Sequence, residues 1–241
     1  MRVAEAKPVR IPLAAIAVHA YTASGAILAF VGIRAVFEGR VRLAFATMVA
    51  ATVVDSTDGV LARLARVKAV LPSVDGARID DIVDYLTFVV LPMLLLDRFG
   101  FLPPRYALVI VAVVLLSSLY GFTSADAKTA DHFFSGFPSY WNIVALYLYV
   151  LDASPLASAV VLLILSALVF VRIGYVYPSR TPVLRRFTVT FGALWAVMVA
   201  AIIWRLPTPP RWLWIASLAF PVYYVVLSLV LDARRRPALP R

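Results

Sequence analysis

The 241-residue chain contains no cysteine. This absence excludes disulfide bonds, thiolate metal sites and cysteine nucleophiles. Charged residues are also scarce, at 15% of the chain, whereas hydrophobic residues make up 63%. Because soluble domains are about 45–50% apolar, and because the mean hydropathy here is +0.90, the composition indicates a membrane protein.

The apolar residues form long continuous runs, and this pattern decides between the two architectures that satisfy the backbone in lipid. A membrane β-barrel would alternate apolar and polar residues along each strand, so the runs favour helices. We therefore predict an all-α, polytopic membrane protein with about eight spans and a single domain over residues 1–241. The predicted spans are 11–35, 43–64, 79–96, 106–122, 140–151, 157–175, 187–204 and 212–231. The fifth is short for a span of about 20 residues, which leaves seven spans as the alternative.

The formal net charge is +10, but the basic residues cluster at the ends of the apolar runs. There they face anionic lipid headgroups, so we predict membrane lipid and not nucleic acid as the partner. Most Lys and Arg residues fall in one alternate set of loops, together with both termini. The positive-inside rule then puts the termini and the loop after the second span on the cytoplasmic side.

Four acids recur at helical spacing in the stretch 55–84, which is otherwise part of an apolar chain. Asp55 and Asp58 are three residues apart, and Asp80 and Asp84 are four apart, so each pair shares one helix face. A carboxylate in a bilayer costs roughly 2.5–3.5 kcal/mol, and a divalent cation with oxygen ligands compensates that cost. The two faces therefore predict an acidic metal pocket where the second and third spans meet.

Glycine and arginine residues beside the acids indicate what the metal would hold. Gly59 and Gly76 let a ligand or a backbone approach closely, and Arg63 can direct a guanidinium at a phosphate. Together these residues point to a metal-bridged diphosphate.

These positions carry a resemblance to a known family. The motif is Asp55-x2-Asp58-Gly59-x2-Ala62-Arg63, followed by Gly76-x3-Asp80-x3-Asp84. It resembles the signature of the CDP-alcohol phosphotransferases, which form a helical bundle and work with one or two divalent metals. The resemblance implies metal ligands at Asp55, Asp58, Asp80 and Asp84, with Asp84 also the catalytic base. It implies a CDP-binding site at Asp55, Gly59, Ala62, Arg63, Gly76 and Asp80. A homodimer is also expected on this resemblance.

One departure from the signature narrows the resemblance. Twelve residues separate Arg63 from Gly76, whereas about eight are usual in the family. The longer gap is similar to that of bacterial phosphatidylcholine synthases, as are residues 18–30, 66–72, 132–142 and 177–180. Such enzymes transfer the phosphatidyl group of CDP-diacylglycerol to choline, giving phosphatidylcholine and CMP, usually with Mn²⁺ and otherwise Mg²⁺. The resemblance also implies a bacterial inner (plasma) membrane location.

Choline is a quaternary ammonium, which proteins hold by cation–π contacts in aromatic cages. The sequence offers Tyr140 and Trp141 in an aromatic loop and Tyr85 beside Asp84, so we predict that these three bind choline. An interfacial aromatic belt is the alternative interpretation of that loop.

Other functions remain open at this point. Within the family, the acceptor alcohol could instead be serine, glycerol phosphate or inositol phosphate, with Arg180, Arg185 and Arg186 as anion partners. From another class, the acids could bind a cation in a transporter, although transporter sites lie near the bilayer midplane in broken helices. Clustering of the acids at one end of the spans favours the phosphotransferase.

Overall fold

The computed structural model describes residues 13–127, 129, 131, 133–178 and 180–235. The regular secondary structure of these residues is helical apart from two short strands. The helices are Leu13–Phe37 (α1), Val41–Leu64 (α2), Val67–Val70 (α3), Gly76–Asp84 (α4), Leu91–Arg98 (α5), Ala107–Thr123 (α6), Trp141–Val150 (α7), Pro155–Val169 (α8), Arg185–Trp204 (α9), Arg211–Ser217 (α10) and Ala219–Arg235 (α11). The strands are Phe133–Ser135 (β1) and Gly174–Val176 (β2). Of the predicted segments, residues 11, 12, 132 and 179 lie outside the described residues.

Several helices suit a bilayer by length and composition. Among the described residues, the long apolar helical segments are α1, α2, α9 and Arg211–Arg235, which joins α10 and α11. Shorter apolar helices are α6, α7 and α8. This pattern confirms the prediction of an all-α, multi-pass membrane protein.

One predicted boundary is wrong. The sixth span was expected over 157–175, but α8 ends at Val169 and the chain continues into β2. The residues after Val169 are apolar enough to extend a helix by hydropathy alone. They instead pair antiparallel with β1, with Phe133 opposite Val176 and Ser135 opposite Gly174.

The third predicted span is a continuous helical stretch that changes its pitch. A π-helical turn, Tyr85–Val90, joins α4 to α5 directly after Asp84. Such turns insert an extra residue per turn and are frequent at functional sites. Beyond it, the part of α5 from Leu91 to Leu96 is buried on all sides. Leu91, Met93, Leu95 and Leu96 are each at most 1% exposed. A helix that is buried on all sides lies in the centre of the bundle, so α4 is anchored at one end by the core.

Small residues let α1 lie directly against α4. A Cβ added at Gly25 would collide with Val83, and one added at Gly76 would come within 2.9 Å of His19 Cε1. Close helix approach through small residues is common in membranes, where packing replaces hydrophobic driving force. This contact fixes the position of the first turn of α4 against α1.

The outer edge of β2 is satisfied by a helix instead of a third strand. Three α11 side chains at four-residue spacing reach its backbone: Asp232 accepts from Gly174 N, Ser228 accepts from Val176 N, and Tyr224 donates to Val176 O. Residues four apart share one helix face, so α11 presents a polar stripe to the strand. The stripe satisfies backbone groups that would otherwise be buried and unpaired.

Candidate active site

Three of the four motif acids meet between α2 and α4. Asp55, Asp80 and Asp84 each offer a carboxylate oxygen, and these oxygens lie within 4.8 Å of one another. Asp55 comes from the second half of α2, and the other two come from successive turns of α4. All three are partly buried. We call these three residues the acid cluster.

The fourth acid, Asp58, is not part of the acid cluster. It is 7% exposed, and its Oδ2 accepts a hydrogen bond of 2.8 Å from Thr22 Oγ1 on α1. A second contact between these helices joins the hydroxyls of Tyr21 and Thr57 at 2.8 Å. Asp58 therefore links α2 to α1, and its expected role as a metal ligand stays a prediction.

Beyond the acid cluster, the end of α2 carries the predicted phosphate-binding residues. Arg63 is exposed, and Gly59 and Ala62 are partly exposed beside it. A Cβ at Gly59 would meet only Arg63 Nη1, at 3.4 Å, an ordinary contact distance. Packing therefore does not demand a glycine at this position.

Gly76 has a different reason to be glycine. It begins α4, where Asp75 caps the helix by accepting from Ala77 N and Arg78 N. Its α-carbon faces the buried ring of His19, whose Nε2 has no hydrogen-bond partner among the described residues. Gly76 thus serves the approach of α1 to α4, and its expected contact with CDP stays a prediction.

Tyr140 is the predicted choline residue that lies near the acids. It precedes α7, and its ring packs against that of Tyr224 on α11. The rings are 6.1 Å apart and edge to face. Its aromatic ring lies in the electrostatic field of Asp55 and Asp84, two members of the acid cluster.

The other two predicted choline residues are committed to packing. Trp141 is 0% exposed, and its Nε1 donates to Ser118 Oγ at 2.7 Å. Tyr85 donates its hydroxyl to Leu115 O at 3.0 Å and packs edge to face on Phe122. Both side chains face α6, although Tyr85 is partly exposed, and their expected contacts with choline stay predictions.

Sequence reasoning did not single out Tyr224, although a signal for it existed. Tyr224, Ser228 and Asp232 stand four residues apart in an otherwise apolar span. Such a polar stripe is costly in lipid and marks a face turned towards protein or solvent. The structure shows that it binds β2 and brings the Tyr224 ring to Tyr140.

No family model matches this chain. Phosphatidylcholine synthase of Legionella pneumophila is 38% identical over 219 residues, covering 88% of this chain and 86% of that protein. Phosphatidylcholine synthases of Pseudomonas aeruginosa (36% identical; 90% and 91% covered) and Rhizobium meliloti (34% identical; 92% and 94% covered) are similar.

The chain belongs to the bacterial phosphatidylcholine synthase family. This confirms the subfamily that the long gap between Arg63 and Gly76 indicated. Membership also fits the multi-pass helical fold and supports an enzyme of phospholipid biosynthesis that transfers a phosphatidyl group.

Proposed function

We propose that this protein transfers the phosphatidyl group of CDP-diacylglycerol to choline, giving phosphatidylcholine and CMP. The observation that carries the proposal is the meeting of Asp55, Asp80 and Asp84 between two membrane helices. The family membership supports the product. The aromatic pair Tyr140 and Tyr224 beside the acids supports a cationic acceptor.

The acid cluster fits a divalent cation. Three carboxylate oxygens lie within 4.8 Å of one another, and oxygen ligands of this kind are the ones that Mg²⁺ prefers. Carboxylate oxygens also suit Mn²⁺. Asp55, Asp80 and Asp84 would hold the ion, with Asp58 as a further candidate. A bound ion would neutralise the diphosphate and stabilise the charge that develops on CMP.

The end of α2 would bind the donor. Arg63 is exposed and can hold a phosphate through paired N–H groups. The absence of a side chain at Gly59 would let the diphosphate lie close to the helix backbone. The nucleotide would occupy the surface between this helix end and the acid cluster, while the diacylglycerol stays in the bilayer.

Asp84 would act as the base. Its carboxylate accepts the proton of the choline hydroxyl while the choline oxygen attacks the β-phosphorus of the donor. A bond forms between that oxygen and phosphorus, the bond from phosphorus to the CMP oxygen breaks, and CMP leaves with the electron pair. Such displacements depend on positioning and charge neutralisation more than on covalent catalysis.

Tyr140 and Tyr224 would bind the trimethylammonium group. Aromatic faces attract quaternary ammonium ions, and the neighbouring carboxylates of Asp55 and Asp84 add attraction for a cation. This pair combines Tyr140 of the predicted set with a residue from a distant part of the chain, and choline contacts of Trp141 and Tyr85 stay predictions. The cytoplasmic face of the inner membrane, and a homodimer, remain part of the proposal.

The decisive experiment is product analysis with purified protein, CDP-diacylglycerol and labelled choline. We expect labelled phosphatidylcholine and an equal amount of CMP, loss of both with a chelator, and recovery with Mn²⁺. Serine, glycerol phosphate and inositol phosphate are offered in parallel reactions. Turnover with one of these and none with choline would refute the choline assignment.

The base is tested by Asp84→Asn, with Asp75→Asn as the matched control. Both changes remove one carboxylate charge from the same region, but asparagine still caps a helix, and Asp75 lies outside the acid cluster. We expect Asp84→Asn to lower kcat at least 100-fold, with CDP-diacylglycerol still bound, and Asp75→Asn to keep most of the activity. Normal turnover by Asp84→Asn would remove Asp84 from this role.

A further inference from the structure

A cavity lies far from the acid cluster. It occupies about 670 Å³ at the start of α2, beside the end of α9. Fifteen residues of helix separate Arg40 from Asp55, or about 22 Å along the axis of α2. The cavity and the acid cluster therefore lie at opposite ends of the same membrane helix.

The walls of this cavity suit a hydrocarbon chain. Apolar side chains from both helices line it, including Leu43, Val49 and Ile203, and the small residues Ala46 and Ala200 leave room between them. Ala46 and Ala200 are both exposed. The result is a groove along the outside of the bundle, between α2 and α9, that is open to the hydrocarbon region.

The mouth of the groove is positively charged. Arg40 and Arg42 both line it. Arg42 donates to Leu206 O at 2.6 Å, which ties its guanidinium across the groove to the end of α9. Arg40 shares Glu38 with Arg34, so these three arginines and one glutamate carry a net charge of +2. The start of the long helix α2 adds a partial positive charge at the same place.

We propose that this groove binds one anionic phospholipid of the membrane leaflet opposite the acid cluster. Its phosphate would lie at Arg40 and Arg42, and one acyl chain would lie between α2 and α9. The pairing of a cationic mouth with an apolar groove matches the two parts of such a lipid. A zwitterionic lipid gains less, because its ammonium group offsets the attraction of the phosphate for the arginines.

Trp204 makes this site observable. It lines the groove and is 76% exposed. Bromine atoms on an acyl chain in the groove would therefore quench its fluorescence. The chain holds five tryptophans. The contribution of Trp204 is therefore the difference in fluorescence between each protein and the same protein carrying Trp204→Phe.

The experiment reconstitutes the full chain in nanodiscs of unlabelled phosphatidylcholine that contain a rising fraction of brominated phosphatidylglycerol. A parallel series contains brominated phosphatidylcholine. We expect half-maximal Trp204 quenching at a lower fraction of the anionic lipid. Each arginine near an anionic lipid contributes about fivefold in affinity. The preference for phosphatidylglycerol over phosphatidylcholine should therefore fall about fivefold in Arg40→Gln and about fivefold in Arg42→Gln.

Two further variants make the result decisive. Arg105→Gln removes an exposed arginine outside the groove, and we expect it to keep the preference. Ala46→Phe fills the groove without changing charge, and we expect it to weaken quenching by both lipids. Equal quenching by the two lipids in the unaltered protein would overturn the proposal. So would a preference that survives both arginine changes, or one that Arg105→Gln lowers as much.

Discussion

Replacing Gly76 with alanine would put a Cβ 2.9 Å from His19 Cε1 and 3.2 Å from His19 Nδ1. His19 is 9% exposed, so its ring has little room to move away. Overpacking of a well-packed site costs about 1–3 kcal/mol. Alanine regains less than about 1 kcal/mol of helix propensity at a first-turn position. We therefore expect Gly76→Ala to lower the free energy of unfolding by about 1–2 kcal/mol.

Gly59→Ala is the matched control, because Gly59 belongs to the same motif. The new Cβ would meet only the end of the Arg63 side chain, at 3.4 Å. In the interior of α2 the change should raise the free energy of unfolding by about 0.5–1 kcal/mol through helix propensity. The two alanine variants should thus differ by about 2–3 kcal/mol in stability, in opposite directions from the unaltered protein.

The assay is reversible unfolding in mixed detergent micelles, followed by circular dichroism, with initial rates measured well below the midpoint. A double-mutant cycle with His19→Ala isolates the contact: removing the ring should abolish most of the cost of Gly76→Ala. Gly59→Ala should instead raise the KM for CDP-diacylglycerol while the protein stays folded. Equal stability of the two alanine variants, or a cost at Gly76 that persists without the His19 ring, would refute this reasoning.

Two further changes probe α11. Tyr224→Phe keeps the ring but removes the hydroxyl that donates to Val176 O. Initial rates at varied choline should show that the KM for choline rises more than the KM for CDP-diacylglycerol. Asp232→Ala leaves the buried Gly174 N–H without its acceptor and removes one carboxylate from Arg235. We expect this change to lower the free energy of unfolding by about 2–3 kcal/mol, and Asp232→Asn, which keeps an acceptor oxygen, to lower it less.

The helices of the bundle were predictable because each is a local signal. A run of apolar residues long enough for a bilayer indicates a helix whatever it packs against. The acid pairs were equally local, since spacings of three and four residues define a helix face. The structure adds that Asp58 turns towards Thr22 on α1, although it shares its helix face with Asp55. That distinction depends on a third helix and was outside the reach of spacing alone.

The strands and their support were not predictable, because they depend on pairings between distant residues. β1 and β2 have three residues each and are separated by two helices. Val176 bonds to Ser228, and Gly174 to Asp232, across more than fifty residues. Hydropathy treats residues 170–175 as a continuation of the preceding helix. The helix stops at Val169 because the following residues pair with β1 and bind the polar groups of α11.

Aromatic residues beside one another in sequence went to opposite environments. Tyr140 precedes α7 and lies near the acid cluster, whereas Trp141 begins the helix and is fully buried against Ser118. Composition identified an aromatic segment and could not say which of its rings lies beside the acid cluster. The residue that completes the pair, Tyr224, comes from the last helix.

The twelve residues between Arg63 and Gly76 show why a longer connection is compatible with the acid cluster. Arg66 adopts a left-handed backbone conformation, with φ of 50°, which ends α2 and turns the chain into α3. Val67 is then buried at 5% exposure, so the short helix is held against the bundle. Asp75 starts α4 with its own cap. The additional residues are thus absorbed between two well-defined helix ends, and Asp55 still meets Asp80 and Asp84. The acid cluster therefore rests on the four-residue spacing of Asp80 and Asp84 and on the approach of α4 to α1 at Gly76, and it does not need a short connection.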